Sequence, residues 1–240
     1  MNQPGNNRVA LITGAGRGIG RAIATELARR SFSLCLAARS HDQLEETRRL
    51  CGLEPSRSLI VLIDLAQADA PQALFGAIDG HFGRIDVLIN NAGWAPPRTP
   101  LKRLPYDDIA RVIAVNLHAP IALARLAASR METGGAIVNL ASAAAHSAGH
   151  GEAVYAAAKA GLVTFTHAAF KELRSLGIKT SAIIPGLVDT DLIPPNKRLD
   201  RTAMLQPADV AQAVMNVIDA PAHLCPVEIS LEPQRDPMRG

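Results

Sequence analysis

The chain has 240 residues, with 25 Lys and Arg against 22 Asp and Glu and a formal net charge of +3. That length suits one large domain that buries about three quarters of its unfolded surface, so no metal or disulfide staple is needed. The basic residues are scattered rather than gathered into a patch, which argues against a nucleic-acid face. Aromatics are 3% of the chain. The core must therefore rest on Ala, Val, Ile and Leu, as buried parallel strands usually do.

Short apolar runs alternate with helical periods along the whole chain. Strands are expected at 8–13, 33–38, 59–64, 85–90, 136–141, 178–184 and 227–231. Helices are expected at 20–30, 42–50, from the third strand to about 82, and at 107–130, 154–175 and 208–218. Pro207 suits the first turn of the last helix. Strand–helix alternation implies right-handed crossovers and a parallel sheet covered on both faces. The expected fold is therefore α/β, a single Rossmann-like doubly wound sheet occupying 1–240 as one dinucleotide-binding and catalytic domain. Residues 187–206 fit no regular element; with Pro194 and Pro195 they read as a functional loop beside the substrate.

Residues 1–7 are polar and read as no secretory signal, and no apolar run is expected to span a bilayer. Cys35, Cys51 and Cys225 are odd in number and lack metal-ligand spacing. They read as free thiols of a cytoplasmic protein. His118, His167 and His223 have no partner at ligand spacing, so no catalytic metal is expected.

The first strand runs into Thr13-Gly14-Ala15-Gly16-Arg17-Gly18-Ile19-Gly20 and then a helix. Such a turn lets backbone approach a pyrophosphate while the helix N-terminus supplies N–H donors. The spacing is neither Gly-x-Gly-x-x-Gly nor a P-loop. The second strand ends Ala37-Ala38-Arg39-Ser40, without the carboxylate that NAD sites use for the ribose. Arg39, with Arg17, suits a 2′-phosphate and hence NADP(H); the alternative is a pair of ordinary surface arginines.

Tyr155-Ala-Ala-Ala-Lys159 places a phenol and an ammonium on one helix face. A phenol titrates at about 10 unaided. An adjacent ammonium and an oxidised nicotinamide would pull that value down. Ser142 closes the fifth strand, thirteen positions earlier, where parallel sheets bind ligands.

Together these residues resemble the short-chain dehydrogenase/reductase family over nearly the whole chain. Thr13 to Gly20 is similar to its cofactor turn, Asp64-Leu65 to its adenine contact, and Asn90-Asn91-Ala92-Gly93 to its signature after the fourth strand. Asn116, Ser142, Tyr155 and Lys159 match its tetrad, and Pro185-Gly186-Leu187-Val188-Asp189-Thr190 its nicotinamide-side loop. The resemblance implies that Tyr155 is the proton donor in reduction and Lys159 the ribose contact. It implies that Ser142 holds the substrate oxygen and Asn116 positions a relay water. It also implies cofactor contacts from Gly14, Arg17, Gly18, Ile19, Gly20, Arg39, Asp64, Leu65, Asn91, Gly93, Pro185, Gly186, Val188 and Thr190. Many members end a strand in Asp-Gly-Gly; this chain instead reads Leu231-Glu232-Pro233-Gln234.

The expected reaction is reduction of a small-molecule or acyl-carrier-bound carbonyl, the cofactor turn and length being most like 3-oxoacyl-thioester reductases. Oxidation of an alcohol, sugar or steroid is the second reading, and a non-catalytic NADP(H) sensor the third. Trp94 reads equally as a cleft wall or a loop anchor, and His146 and His150 as substrate contacts or loop surface. The helices at 107–130 and 154–175 are apolar almost all round, which predicts burial on more than one side, in a homotetramer or homodimer.

Overall fold

A computed structural model describes residues 8–193, 196 and 199–238; the polar start 1–7 and Pro194 and Pro195 lie outside the described residues. Seven strands form one all-parallel sheet: β1 (Val9–Thr13), β2 (Ser33–Ala38), β3 (Ser58–Leu62), β4 (Val87–Asn90), β5 (Ala136–Leu140), β6 (Lys179–Pro185) and β7 (Glu228–Leu231). Their order is β3-β2-β1-β4-β5-β6-β7. The order reverses between β1 and β4, and the crevice outside the strand ends there is where open α/β sheets bind ligands.

The strands are apolar on both faces because both are covered. Ala10, Ile12, Leu34, Leu36, Val87 and Ile89 join the core under α1 (Gly18–Arg29), α2 (His41–Leu50) and α7 (Pro207–Ile218). The alternate residues Leu11, Cys35, Leu88 and Ile137 point the other way. There they meet α3 (Ala70–His81), α5 (Ala119–Ala128) and α6 (Ala153–Leu173). Every expected strand and helix is present, with ends moved by a few residues.

The helix expected at 107–130 is one rod, Tyr106–Ala128, but not one regular helix. Its first part, α4 (Tyr106–Ile113), passes through a π turn at Ala114–His118 into α5. Pro120 explains the interruption. It has no N–H for the carbonyl of Asn116, four residues back, and its ring crowds that oxygen. Contrary to the sequence expectation, this 23-residue rod is long and apolar enough to cross a membrane by length and composition. Here it packs in a layer against the sheet, with Val112, Leu123 and Ala127 fully buried.

A buried polar chain ties α6 to the sheet. Asn90 Nδ2 donates to Asn139 Oδ1 (2.8 Å) and to the Pro120 carbonyl (3.1 Å). Asn139 Nδ2 donates to Thr166 Oγ1 (2.8 Å), which donates to the Leu162 carbonyl (2.7 Å). Each bond matters because a buried amide left unpaired is costly.

Candidate active site

At the end of β1 the chain reverses through the glycine turn into α1. Gly14 (φ 66°) and Gly18 (φ 53°) are left-handed, where a side chain is strained. Close approach demands glycine too. A Cβ on Gly20 would lie 2.2 Å from the Gly14 carbonyl oxygen, and one on Gly14 2.8 Å from Asn91 Nδ2. No side chain caps α1, so its leading N–H groups are left for an anion or solvent.

The turn is braced from β4 and β2. Thr13 Oγ1 accepts from the N–H groups of Asn91 (3.1 Å) and Ala92 (3.0 Å). Asn91 Nδ2 donates back to the carbonyls of Thr13 (2.8 Å) and Gly14 (3.2 Å). The side-chain amide of Asn91 therefore holds the turn in shape. The N–H of Gly14 donates to the Ala37 carbonyl (2.7 Å), setting the end of β2 beside the turn.

Beyond β2, Arg39 is exposed and forms no ion pair among the described residues. Arg17 differs from expectation. Its guanidinium is 2.9 Å from Asp191, in the loop after β6, with both groups well exposed. A solvated pair of this kind is worth little and readily exchanges partners. Asp64, after β3, accepts from Ala66 N–H (3.1 Å) and Arg111 (2.8 Å). Burial pushes its carboxyl up, but these bonds outweigh burial and hold it below the usual range. The Leu65 side chain is buried in the core, so only its backbone is free to serve a ligand.

The tetrad gathers at the ends of β4 and β5. Ser142 follows β5, and its hydroxyl accepts from Ala144 N–H (3.2 Å). Lys159 is 3% exposed. Its ammonium donates to the Leu140 carbonyl (2.7 Å) and lies 5.8 Å from the Tyr155 ring centre. Asn116 sits in the π turn and clamps Trp94, donating to its carbonyl (2.6 Å) and accepting from its N–H (3.3 Å). A Cβ on Gly93 would lie 3.2 Å from Asn116 Oδ1 and 3.9 Å from Lys159 Nζ. Gly93 thus keeps these two side chains adjacent. Trp94 is a loop anchor, held by Asn116 and stacked under Arg111 at 5.5 Å.

Burial lowers the Lys159 ammonium to about 8. Burial also raises the Tyr155 phenol above its ordinary value; the Ser142 hydroxyl opposes this and the Glu152 carboxylate adds to it. The sequence had implied a lowered phenol. The protein alone gives the reverse because the phenol is half-buried and the ammonium is directed at Leu140.

The loop after β6 folds over the glycine turn. Pro185 ends β6, and the Gly186 N–H donates to the Leu231 carbonyl (2.8 Å). Val188 pairs with Leu205, and Thr190 Cγ2 lies 3.3 Å from where Gly18 would carry a Cβ. The unusual C-terminus lands here. A Cβ on Gly186 would meet Glu232 Oε2 at 2.3 Å. The tail then runs back along the loop, where Asp200 N–H donates to the Pro237 carbonyl (2.8 Å) and Leu199 bridges Met238. His146 and His167 bracket Glu228, at 3.5 and 2.9 Å.

A short chain dehydrogenase family model matches residues 8–199. This chain belongs to the short-chain dehydrogenase family. It is an oxidoreductase, and membership implies NAD(P)(H). The chain is 30% identical over 229 residues to an uncharacterized oxidoreductase of Staphylococcus aureus (strain MRSA252), covering 95% of this chain and 97% of the relative. It is 29% identical over 222 residues to carbonyl reductase family member 4 of Xenopus tropicalis, covering 89% and 92%. Among solved structures, a Brucella melitensis short-chain dehydrogenase/reductase, named as a glucose/ribitol dehydrogenase, superposes with a TM-score of 0.88 at 25% identity, covering 98% of both chains. A Serratia marcescens short-chain dehydrogenase/reductase double mutant gives 0.87 at 28%, covering 96% and 98%.

The residues present fit a dinucleotide: the glycine cradle has no room for a Cβ, and it opens onto an uncapped helix end. Sequence reasoning missed Arg111 and Asp191, and the bracing contacts of Thr13. Arg111 and Asp191 carry no local motif; all three matter through partners far away in the chain, Asp64, Arg17 and Asn91. Lys159 yields a pH prediction. Its folded-state value, about 8, lies below the ordinary 10.5. Between those values the unfolded chain holds the proton, so raising pH favours the fold. Relative to Lys159→Met, wild type should gain about 3 kcal/mol of stability across that window. Urea unfolding of both proteins at stepped pH reads this difference, and parallel profiles would contradict it.

Proposed function

We propose that this oxidoreductase reduces a carbonyl to an alcohol with NADP(H), Tyr155 donating the proton. The observation that carries the reading is the Tyr155 ring 5.8 Å from the ammonium of the buried Lys159, on the helix that follows Ser142 at the end of β5. The dinucleotide, when bound, supplies the hydride. The protein's part is to hold the substrate oxygen between Ser142 and Tyr155 and to deliver the proton from the phenol Oη as charge develops on that oxygen. Lys159 keeps two N–H groups beyond its bond to Leu140, for the nicotinamide ribose. Asn116, beside it, completes the proton path to solvent.

The cofactor turn and chain length resemble those of 3-oxoacyl-thioester reductases, and a relative bears the name carbonyl reductase. Small or acyl-carrier-bound carbonyls are therefore the proposed substrates. A carbonyl panel that includes 3-oxoacyl thioesters, followed by NADPH absorbance, tests this. The similarity to the Brucella melitensis protein named as a glucose/ribitol dehydrogenase favours a second reading, oxidation of a sugar or polyol; the same assay run with alcohols and NADP+ separates the two. Tyr155→Phe should bind the cofactor normally and lose about 100-fold or more in turnover. Turnover at the wild-type rate would refute the mechanism.

NADP(H) is preferred on the exposed Arg39, which forms no ion pair among the described residues, and the missing acid at Ala38. Arg17 joins it on exchanging Asp191 for the 2′-phosphate. Arg39→Ala should weaken NADPH binding by about 1.5–3 kcal/mol and leave NADH unaffected. Equal wild-type affinities for the two cofactors would remove the preference.

We also infer a homotetramer or homodimer. Ile113, Leu117 and Ile121 remain partly exposed on the long rod, and Ala157, Thr164 and Ala168 exposed on α6. Packed about a two-fold axis, these faces become buried. Light scattering after size exclusion should give a multiple of 25.4 kDa; the single-chain mass would end the argument.

A further inference from the structure

Two carbonyls flank Arg17 in the glycine turn, and one residue holds both. The Arg21 guanidinium donates through Nη2 to the Gly16 carbonyl, and the Arg21 N–H donates to the Arg17 carbonyl (3.2 Å). The peptide groups on either side of Arg17 are therefore tied to α1. The same guanidinium reaches α2. Its Nε donates to Thr47 Oγ1 (3.0 Å), and Nη2 lies 3.4 Å from the Gln43 carbonyl. Thr47 is fully buried. Its one hydroxyl proton has the carbonyls of Gln43 (2.9 Å), Ala15 (3.0 Å) and Gly16 (3.3 Å) within reach. The turn and the helix also touch directly, since a Cβ on Gly16 would lie 2.9 Å from Gln43 Cβ.

This ring of Gly16, Arg21, Gln43 and Thr47 joins the two places that carry the exposed arginines. Arg17 stands in the turn. Arg39 stands just ahead of α2, whose first turn is closed by the Leu44 N–H on the Ser40 carbonyl (3.2 Å). We propose that Arg21 and Thr47 are positioning residues for the 2′-phosphate of the cofactor, their ring fixing the spacing of Arg17 and Arg39 and with it the preference for NADP(H) over NAD(H). The inference rests on the proposed roles of Arg17 and Arg39.

The physical argument is one of preorganisation. Arg17 and Arg39 are long, exposed side chains, and both lose rotamer freedom on closing on one phosphate. Anchors held at a fixed separation limit that loss, and charge-assisted bonds need short, aligned contacts. Arg21 already uses Nε and Nη2 on acceptors of the protein, which suits a brace rather than a phosphate ligand. The pyrophosphate side of the turn is braced separately, by Thr13 and Asn91. Loosening the ring should therefore be felt at the 2′-phosphate and spare the rest of the dinucleotide.

Cofactor fluorescence gives Kd for NADPH and for NADH without turnover, and the readout is the ratio of the two. Arg21→Met and the isosteric Thr47→Val should each lower the preference for NADPH on the order of fivefold, with NADH changed by less than about twofold. Thr47→Ser keeps the hydroxyl and should keep the ratio. The double variant of Arg21→Met and Thr47→Val should be no worse than either alone, because both break one ring. Arg21→Lys keeps the charge without the fork and should also lose the preference. Circular dichroism checks that each variant is folded; if Thr47→Val is not, the two Arg21 variants still decide. Equal weakening of both cofactors marks a purely structural contact and overturns the proposal, as does an unchanged ratio. A ratio kept in Arg21→Lys but lost in Arg21→Met makes Arg21 a point charge for the phosphate and overturns the brace. Equal affinities in the wild type overturn the NADP(H) reading itself, and the role of the ring with it.

Discussion

In a parallel sheet buried on both faces, a polar side chain along a strand is costly unless it is paired. Everything else in this molecule follows from that constraint. The strands carry Ala, Val, Ile and Leu, and polar groups emerge where the strands end. Asn90, Asn139 and Thr166 form one hydrogen-bonded chain through the interior, while the buried Thr180 hydroxyl on β6 has no partner among the described residues. That chain anchors α6, the helix that carries Tyr155 and Lys159, to the strand ends where the glycine turn lies. The site inherits its rigidity from interior bonds that are costly to break.

Burial has opposite uses at the two ionisable members of the tetrad. It drives the Lys159 ammonium and the Tyr155 phenol toward their neutral forms. A phenol that keeps its proton is suited to donate it, and an ammonium near 8 is still charged at neutral pH. Other charges then decide how readily the proton moves. Ser142 and Glu152 pull in opposite directions on the phenol.

The substrate side is assembled from pieces that have no local reason to meet. The loop after β6 touches the glycine turn at Thr190 and Asp191 and is held from behind by the C-terminal tail through Pro237 and Met238. Glu232 stands close against Gly186. The chain's departure from the usual Asp-Gly-Gly ending therefore lies against the loop after β6.

Alternation of apolar runs with helical periods determined the α/β class, the parallel sheet and nearly every element, because period and burial are local properties of sequence. The turn from Thr13 to Gly20, the pair Tyr155 and Lys159, and Ser142 at a strand end were legible for the same reason: each is a short motif tied to one element. Pro120 was visible too, but the π turn it forces at Asn116 depends on how the backbone answers the lost hydrogen bond. Only tertiary structure decided that Asn91 braces the glycine turn and that Arg17 meets Asp191. It also decided the direction of the Tyr155 shift. These outcomes depend on distances between residues far apart in the chain and on how much water each group loses, and neither quantity is written in local spacing.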